Sequence, residues 1–138
     1  RPDELEDGAR LVEKCPKTRF VVDHCGNMSV SSTDKALRKK WMAGIKALAS
    51  HENVVCKISG IIVTAEEGWT AKDLAPNMLF CMDTFGEDRA YFAGDWPVCR
   101  LRATFAQWAQ ALKTIVKDRP LAFQKKLFHE NAERFYRI

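Results

Sequence analysis

Three short runs rich in β-branched and aromatic residues, separated by longer stretches of helical period, restrict what this chain can fold into. The first run is Arg19-Phe20-Val21-Val22-Asp23-His24, closed by Cys25-Gly26-Asn27. The second runs from Val54 to Ser59 and is closed by Gly60, and the third runs from Ala90 to Asp95 and is closed by Trp96-Pro97. Strands that alternate with helices pair in parallel, because a parallel connection needs roughly a dozen residues and packs back onto the sheet with one hand. The fold class is therefore α/β, with three parallel strands and crossover helices.

The segments between the runs carry helical signals. Pro2 to Lys14 reads as a helix. Ser32 or Thr33 is placed to cap a second one, whose apolar face carries Leu37, Trp41, Ile45 and Leu48. Thr70-x-x-Asp73 resembles a capping box before Leu74, Met78, Cys81, Met82 and Phe85. The third crossover sets Leu101, Phe105, Trp108, Leu112 and Ile115 three and four residues apart. A last segment opens at Pro120, and Asn131 is expected to cap Ala132 to Tyr136.

Three parallel strands alone leave two raw sheet edges, and parallel sheets are normally covered on both faces. A (β/α)8 barrel takes about 250 residues, so 138 residues amount to roughly half of one. The chain opens on Arg1 and enters a helix at once, so the expectation is that an upstream portion, or a second chain, covers the open edges. Residues 1–138 then form one portion of a single domain. With 46% hydrophobic and 29% charged residues, the composition is that of a soluble protein with a core.

The remaining composition narrows the partners. The net charge of +4 is dispersed, and its densest cluster, Arg38-Lys39-Lys40, falls on an amphipathic helix as a solvated face would, so no nucleic-acid partner is expected. No apolar run nears the roughly 20 residues that span a bilayer, and no membrane partner is expected. Five cysteines without a C-x-x-C pair argue against both a zinc knuckle and a disulfide framework, and point to reduced thiols in a cytoplasmic protein.

Barrel enzymes keep their sites at the C-terminal ends of the strands, where these runs end in polar residues. If His24 points into the barrel, strand alternation places Val22 and Phe20 inward with it. The same parity groups Lys57 with Ser59, and Asp95 with Ala93 and Tyr91. Cys25 beside His24 invites a Cys-His nucleophile, but neighbours along a strand face opposite ways. His51 and His129 lie in helix-terminal contexts and read as structural.

Phe20-Val21-Val22-Asp23-His24-Cys25-Gly26, Trp41, Asn53 to Gly60, Phe85-Gly86-Glu87-Asp88-Arg89, Gly94-Asp95-Trp96-Pro97 and Asn131-Ala132-Glu133-Arg134-Phe135-Tyr136 stand in an informative order. In order and spacing they resemble the later part of the amidohydrolase-2 family, in the branch with sugar-lactone and pyrone-dicarboxylate hydrolases. The resemblance implies the C-terminal portion of a TIM barrel and a hydrolase acting on a small molecule, a cyclic ester such as a sugar lactone or carboxylated lactone. It makes Asp95 the general base for the attacking water, a role that a carboxylate at a lumen mouth can fill. The competing reading of Asp95 is a turn former ahead of Pro97. His24 corresponds to a histidine that polarises the substrate carbonyl or ligates a metal, according to which ring nitrogen a neighbour occupies. Lys57 would hold a carboxylate or hydroxyl-rich substrate, or would pair with an acidic neighbour such as Asp95. Ser59 and Trp96 are candidates for the pocket wall.

Two departures bear on these expectations. Relatives often read Gly-Ser-Asp-Trp-Pro where this chain has Ala93-Gly94-Asp95-Trp96-Pro97, and Gly26-Asn27-Met28 replaces a proline-ending turn. The family's His-x-His pair is also absent, and His24 with Asp95 are too few ligands for a zinc site of three or four. One divalent metal, zinc first, therefore stands beside a metal-independent reaction. The rival readings are a metal-dependent decarboxylase of the same superfamily and an inactive barrel fragment that acts only by binding.

Overall fold

Phe20–Val22 (β1), Val54–Ile58 (β2) and Ala90–Phe92 (β3) are the strands of the computed structural model, which describes residues 1–138. They lie side by side in chain order, and both pairs are parallel. The helices are Leu5–Lys14 (α1), Lys35–Ala49 (α2), Ala71–Phe85 (α3), Phe105–Ile115 (α4), Leu121–Lys125 (α5) and Asn131–Tyr136 (α6). A turn of π-helix, Lys126–Glu130, joins the last two. The α/β alternation expected from the sequence is the observed architecture, and β1 and β3 each keep one unpaired edge.

Register decides which side chains share a face. Val21 pairs with Val55, Cys56 with both Val22 and Ala90, and Lys57 with Tyr91. Side chains paired in this way project to one side of the sheet. The Cys56 side is covered by helices: Cys56 meets Cys81 of α3, and the Phe92 ring packs on Trp108 of α4 and on Phe128. Val21, Val55, Lys57 and Tyr91 therefore line the opposite face, which in a closed barrel is the lumen.

This corrects the parity expected for β1, since Phe20 and Val22 face the helices. Strand alternation ends at Val22. His24, Cys25 and Gly26 follow with φ of 50°, 51° and 70°, so His24 is turned towards the lumen side by a left-handed bend, not by strand geometry.

Helix ends explain three smaller differences. Asp34, and neither Ser32 nor Thr33, caps α2, its Oδ1 accepting the Leu37 N–H at 2.9 Å. The Thr70–Asp73 box is present at α3 as expected, with the Thr70 N–H donating to Asp73 at 2.7 Å. A second box, Thr104 with Gln107, opens α4 later than the apolar spacing implied, and leaves Leu101 in a short 3-10 turn, largely exposed. Asn131 is no cap. The π-turn carries helical backbone straight through it, and its buried amide donates to Glu87 O and Ala90 O, both at 2.8 Å, tying the C-terminal helix to β3.

The core forms where α2, α3 and α4 press on the sheet, around Trp41, Ile45, Leu74, Met78, Met82, Trp108 and Leu112. Burial of each such side chain stabilises by about 1.5–3 kcal/mol. Two further contacts hold the sheet ends in place. Arg89 donates to Ala49 O and His51 O at 2.8 Å, joining the end of α2 to the entry of β2. The end of α6 lies across the open face: Phe135 stacks on Tyr91 of β3, while Arg19, ahead of β1, sits over the Phe135 ring and donates to its carbonyl.

Trp41 links the core to the bend that carries His24, because its indole N–H donates to Cys25 O at 2.8 Å while its ring lies 5.0 Å from that of Phe80. Trp41→Phe keeps most of the packing and removes the donor. Stability should fall by about 1–3 kcal/mol, the cost of a buried carbonyl deprived of its main partner. Urea denaturation of the intact protein measures it, and an unchanged midpoint would show that the bend holds its shape without Trp41.

Candidate active site

Each strand hands over to a polar turn at its C-terminal end: β1 to Asp23–Asn27, β2 to Ser59-Gly60, and β3 to Gly94-Asp95. Across these turns His24 Nδ1 and Ser59 Oγ lie 2.9 Å apart. The other ring nitrogen, Nε2, faces Asp95 Oδ1 at 4.0 Å, too far for a direct hydrogen bond. His24, Ser59 and Asp95, expected from three separate strands, thus meet at one end of the sheet.

Backbone strain aims two of them. His24 and Asp95 are non-glycine residues with φ of 50° and 49°. A left-handed L-residue costs roughly 1–2 kcal/mol, and such residues cluster where a side chain must be pointed for function. Gly60, with φ of 66°, passes directly against the imidazole: a Cβ built there would stand 2.2 Å from Nδ1 and 2.4 Å from Cγ of His24. Only a residue without a side chain lets the β2 turn approach the ring so closely.

Lys57 does not pair with Asp95. Its ammonium lies 2.7 Å from Oδ1 of Asp23, the first residue of the turn that follows β1. Partial burial disfavours the charge on Lys57, but the hydrogen bond and charge of Asp23, with Tyr136 and Asp95 adding to them, outweigh it and raise its pKa. Beside it, burial and the 2.8 Å hydrogen bond to the Tyr136 hydroxyl raise the pKa of Tyr91 and keep its phenol neutral. Asp23 and Tyr136 escaped the sequence reading. Asp23 reaches Lys57 only through the register of β1 on β2, which the sequence of neither strand contains.

Other expected residues stand apart. Trp96 is 67% exposed and makes no hydrogen bond or ring contact with this group. His51 takes part through its carbonyl in the Arg89 contact, and His129 lies on the surface 3.2 Å from Glu133. Cys25 is fully buried. Contact with the Cys56 and Cys81 thiols pulls its own thiol below the ordinary value, but that burial denies it a substrate. All five cysteines are free.

His24 Nε2 and Asp95 Oδ1 are the two donors this chain directs at a common point, whereas zinc takes three or four. No group of three or more His, Cys, Asp or Glu side chains is arranged to hold a metal ion, so the donor set falls short of a zinc site. No helix is long and apolar enough to cross a membrane.

Comparison with known proteins agrees with this architecture. An L-fucono-1,5-lactonase of Burkholderia multivorans is 32% identical over 128 residues, which cover 86% of this chain and 43% of that enzyme. An uncharacterized Sinorhizobium fredii protein, y4mH, is 31% identical over 135 residues, covering 98% of this chain and 44% of its own length. The crystal structure of a Burkholderia multivorans amidohydrolase with bound zinc superposes with a TM-score of 0.91 at 26% identity, over 99% of this chain and 50% of that one. The chain therefore spans about half the length of the proteins it matches, and its three parallel strands with their helices are the C-terminal portion of a TIM barrel. The Amidohydrolase family model (Amidohydro_2) matches residues 1–138, and this chain belongs to that family.

Proposed function

We propose that the intact protein hydrolyses a cyclic ester, a sugar lactone in the first instance, by a reaction whose proton transfers run through Asp95. The observation that carries this reading is the pair formed by His24 Nε2 and Asp95 Oδ1, which face one another at 4.0 Å without bonding, at the strand ends where barrel enzymes work. A water molecule attacks the ring carbonyl while the Asp95 carboxylate accepts its proton. His24 donates a hydrogen bond to the carbonyl oxygen as negative charge collects there. The tetrahedral intermediate then collapses, the ring C–O bond breaks, and Asp95 returns the proton to the departing oxygen. One lactone and one water give one hydroxy acid. The lactonase named among the relatives supports the substrate class.

A zinc-dependent version takes its support from the zinc-bound relative, but the ligands would have to come largely from outside these residues. The other half of the barrel, supplied by an upstream portion of the same protein or by a second chain, would also cover the free edges of β1 and β3. Lys57 is suited to a hydroxyl or carboxylate of the substrate, since its ammonium stands on the open face and Asp23 satisfies only part of its hydrogen-bonding capacity.

The test offers the intact protein a panel of sugar 1,5-lactones and a carboxylated lactone, and follows acid release. At least one should be opened, and Lys57→Met should raise KM by about 10–100-fold, the worth of a charged hydrogen bond, with little change in kcat. A panel left wholly intact refutes the lactonase reading, and an unmoved KM leaves Lys57 as no more than the partner of Asp23.

A further inference from the structure

We propose that Ser59 is a positioning residue that fixes which nitrogen of His24 carries the proton, making the imidazole an Nε2–H donor into the pocket. Ser59 is fully buried, and His24 Nδ1 is the one partner of its hydroxyl, at 2.9 Å. No buried side-chain nitrogen or oxygen in the protein lacks a partner, so this contact is what satisfies the Ser59 hydroxyl. A hydroxyl has one proton to donate and two lone pairs to accept with. If Nδ1 carried the hydrogen, Ser59 would accept it and its own O–H would point at nothing. A buried donor without an acceptor is rare in proteins, while an acceptor with a lone pair to spare is tolerated more readily. The hydroxyl therefore donates, Nδ1 accepts, and in the neutral ring the hydrogen resides on Nε2.

The Gly60 turn runs along the same edge of the ring, since a Cβ added there would stand 2.2 Å from Nδ1, so the Nδ1 edge faces the end of β2 and Ser59. Nε2–H consequently points towards Asp95 across the 4.0 Å gap. A carbonyl oxygen entering there meets a donor, whereas a metal ion would meet a nitrogen whose lone pair is engaged in the N–H bond. The tautomer follows from the geometry alone; its use against a carbonyl rests on the lactonase reading.

The two parts separate in one set of measurements on the intact protein. Long-range proton–nitrogen spectra of protein labelled with [15N]histidine, at alkaline pH where imidazoles are neutral, report the tautomer of each ring, and His24→Gln identifies the His24 signals among the three histidines. The expected spectrum has a protonated Nε2 and a bare Nδ1. Ser59→Ala should release the constraint and populate Nδ1–H, and Ser59→Thr, which keeps the hydroxyl, should restore the original form. In lactone assays Ser59→Ala should lose about 10–100-fold in kcat with KM nearly unchanged, as when the partner orienting a functional histidine is removed. A wild-type ring protonated on Nδ1 overturns the proposal without any substitution, as does a Ser59→Ala protein with unaltered tautomer and kcat. Failure of the wild type to open any lactone refutes the hydrolase reading instead, and the spectra still decide the role of Ser59.

Discussion

Asp95→Asn should leave the fold intact and lower lactone turnover by ~10²–10⁴, the usual contribution of a positioned general base. The amide matches the carboxylate in shape, and what holds the Asp95 turn is backbone: its carbonyl accepts the Cys99 N–H at 2.9 Å. The side chain is in no short ion pair whose loss would unfold the site, since Lys57 is held by Asp23. The loss should therefore fall on kcat, with KM moving much less, because the base acts on the water and contributes little to holding the ground state. Steady-state kinetics beside a thermal melt checks both halves. Turnover close to wild type would reduce Asp95 to the turn former that its place before Pro97 also allows.

Gly60→Ala is expected to be nearly as damaging, for a different reason. The new methyl would have to occupy space 2.2 Å from His24 Nδ1, so the ring must move or the β2 turn must retreat. Misplacing a reacting group by about 1 Å can cost ~10²-fold, and kcat should fall by about that much. The left-handed backbone at φ 66° adds strain of its own, so stability should drop by about 1–3 kcal/mol as well. Gly68→Ala separates the two effects, because Gly68 has a similar φ of 78° but nothing within 4 Å of the added Cβ. That variant should lose stability and keep kcat. Equal losses of activity in both would mean that backbone strain alone, and not contact with His24, is responsible.

The strands could be read from the sequence because burial on both faces leaves near-continuous apolar runs such as Val54-Val55-Cys56. Their ends could not. β1 and β3 stop at Val22 and Phe92, ahead of the polar residues assigned to them, because left-handed turns at His24 and Asp95 take over there. Such a turn reads as strand when only alternation is counted, which is why the lumen face of β1 was expected on the wrong parity. His24 and Asp95 were named through the motifs around them, yet Asp23 was missed because its partner is set by register between strands, which no single segment contains. Ser59 was assigned to the pocket wall, and only the distance to Nδ1 ties it to the histidine.

The two polar groups of the proposed reaction sit in the turns that follow the outer strands of a three-stranded sheet, with Ser59, just past the middle strand, bound to one of them alone. The 4.0 Å gap between His24 and Asp95 therefore brings together turns that belong to β1 and β3, the two strands with a free edge. If pairing at those edges changes the gap, a molecule that bridges it favours the paired state by the same factor by which pairing favours its binding, as linkage requires of two equilibria that share one coordinate.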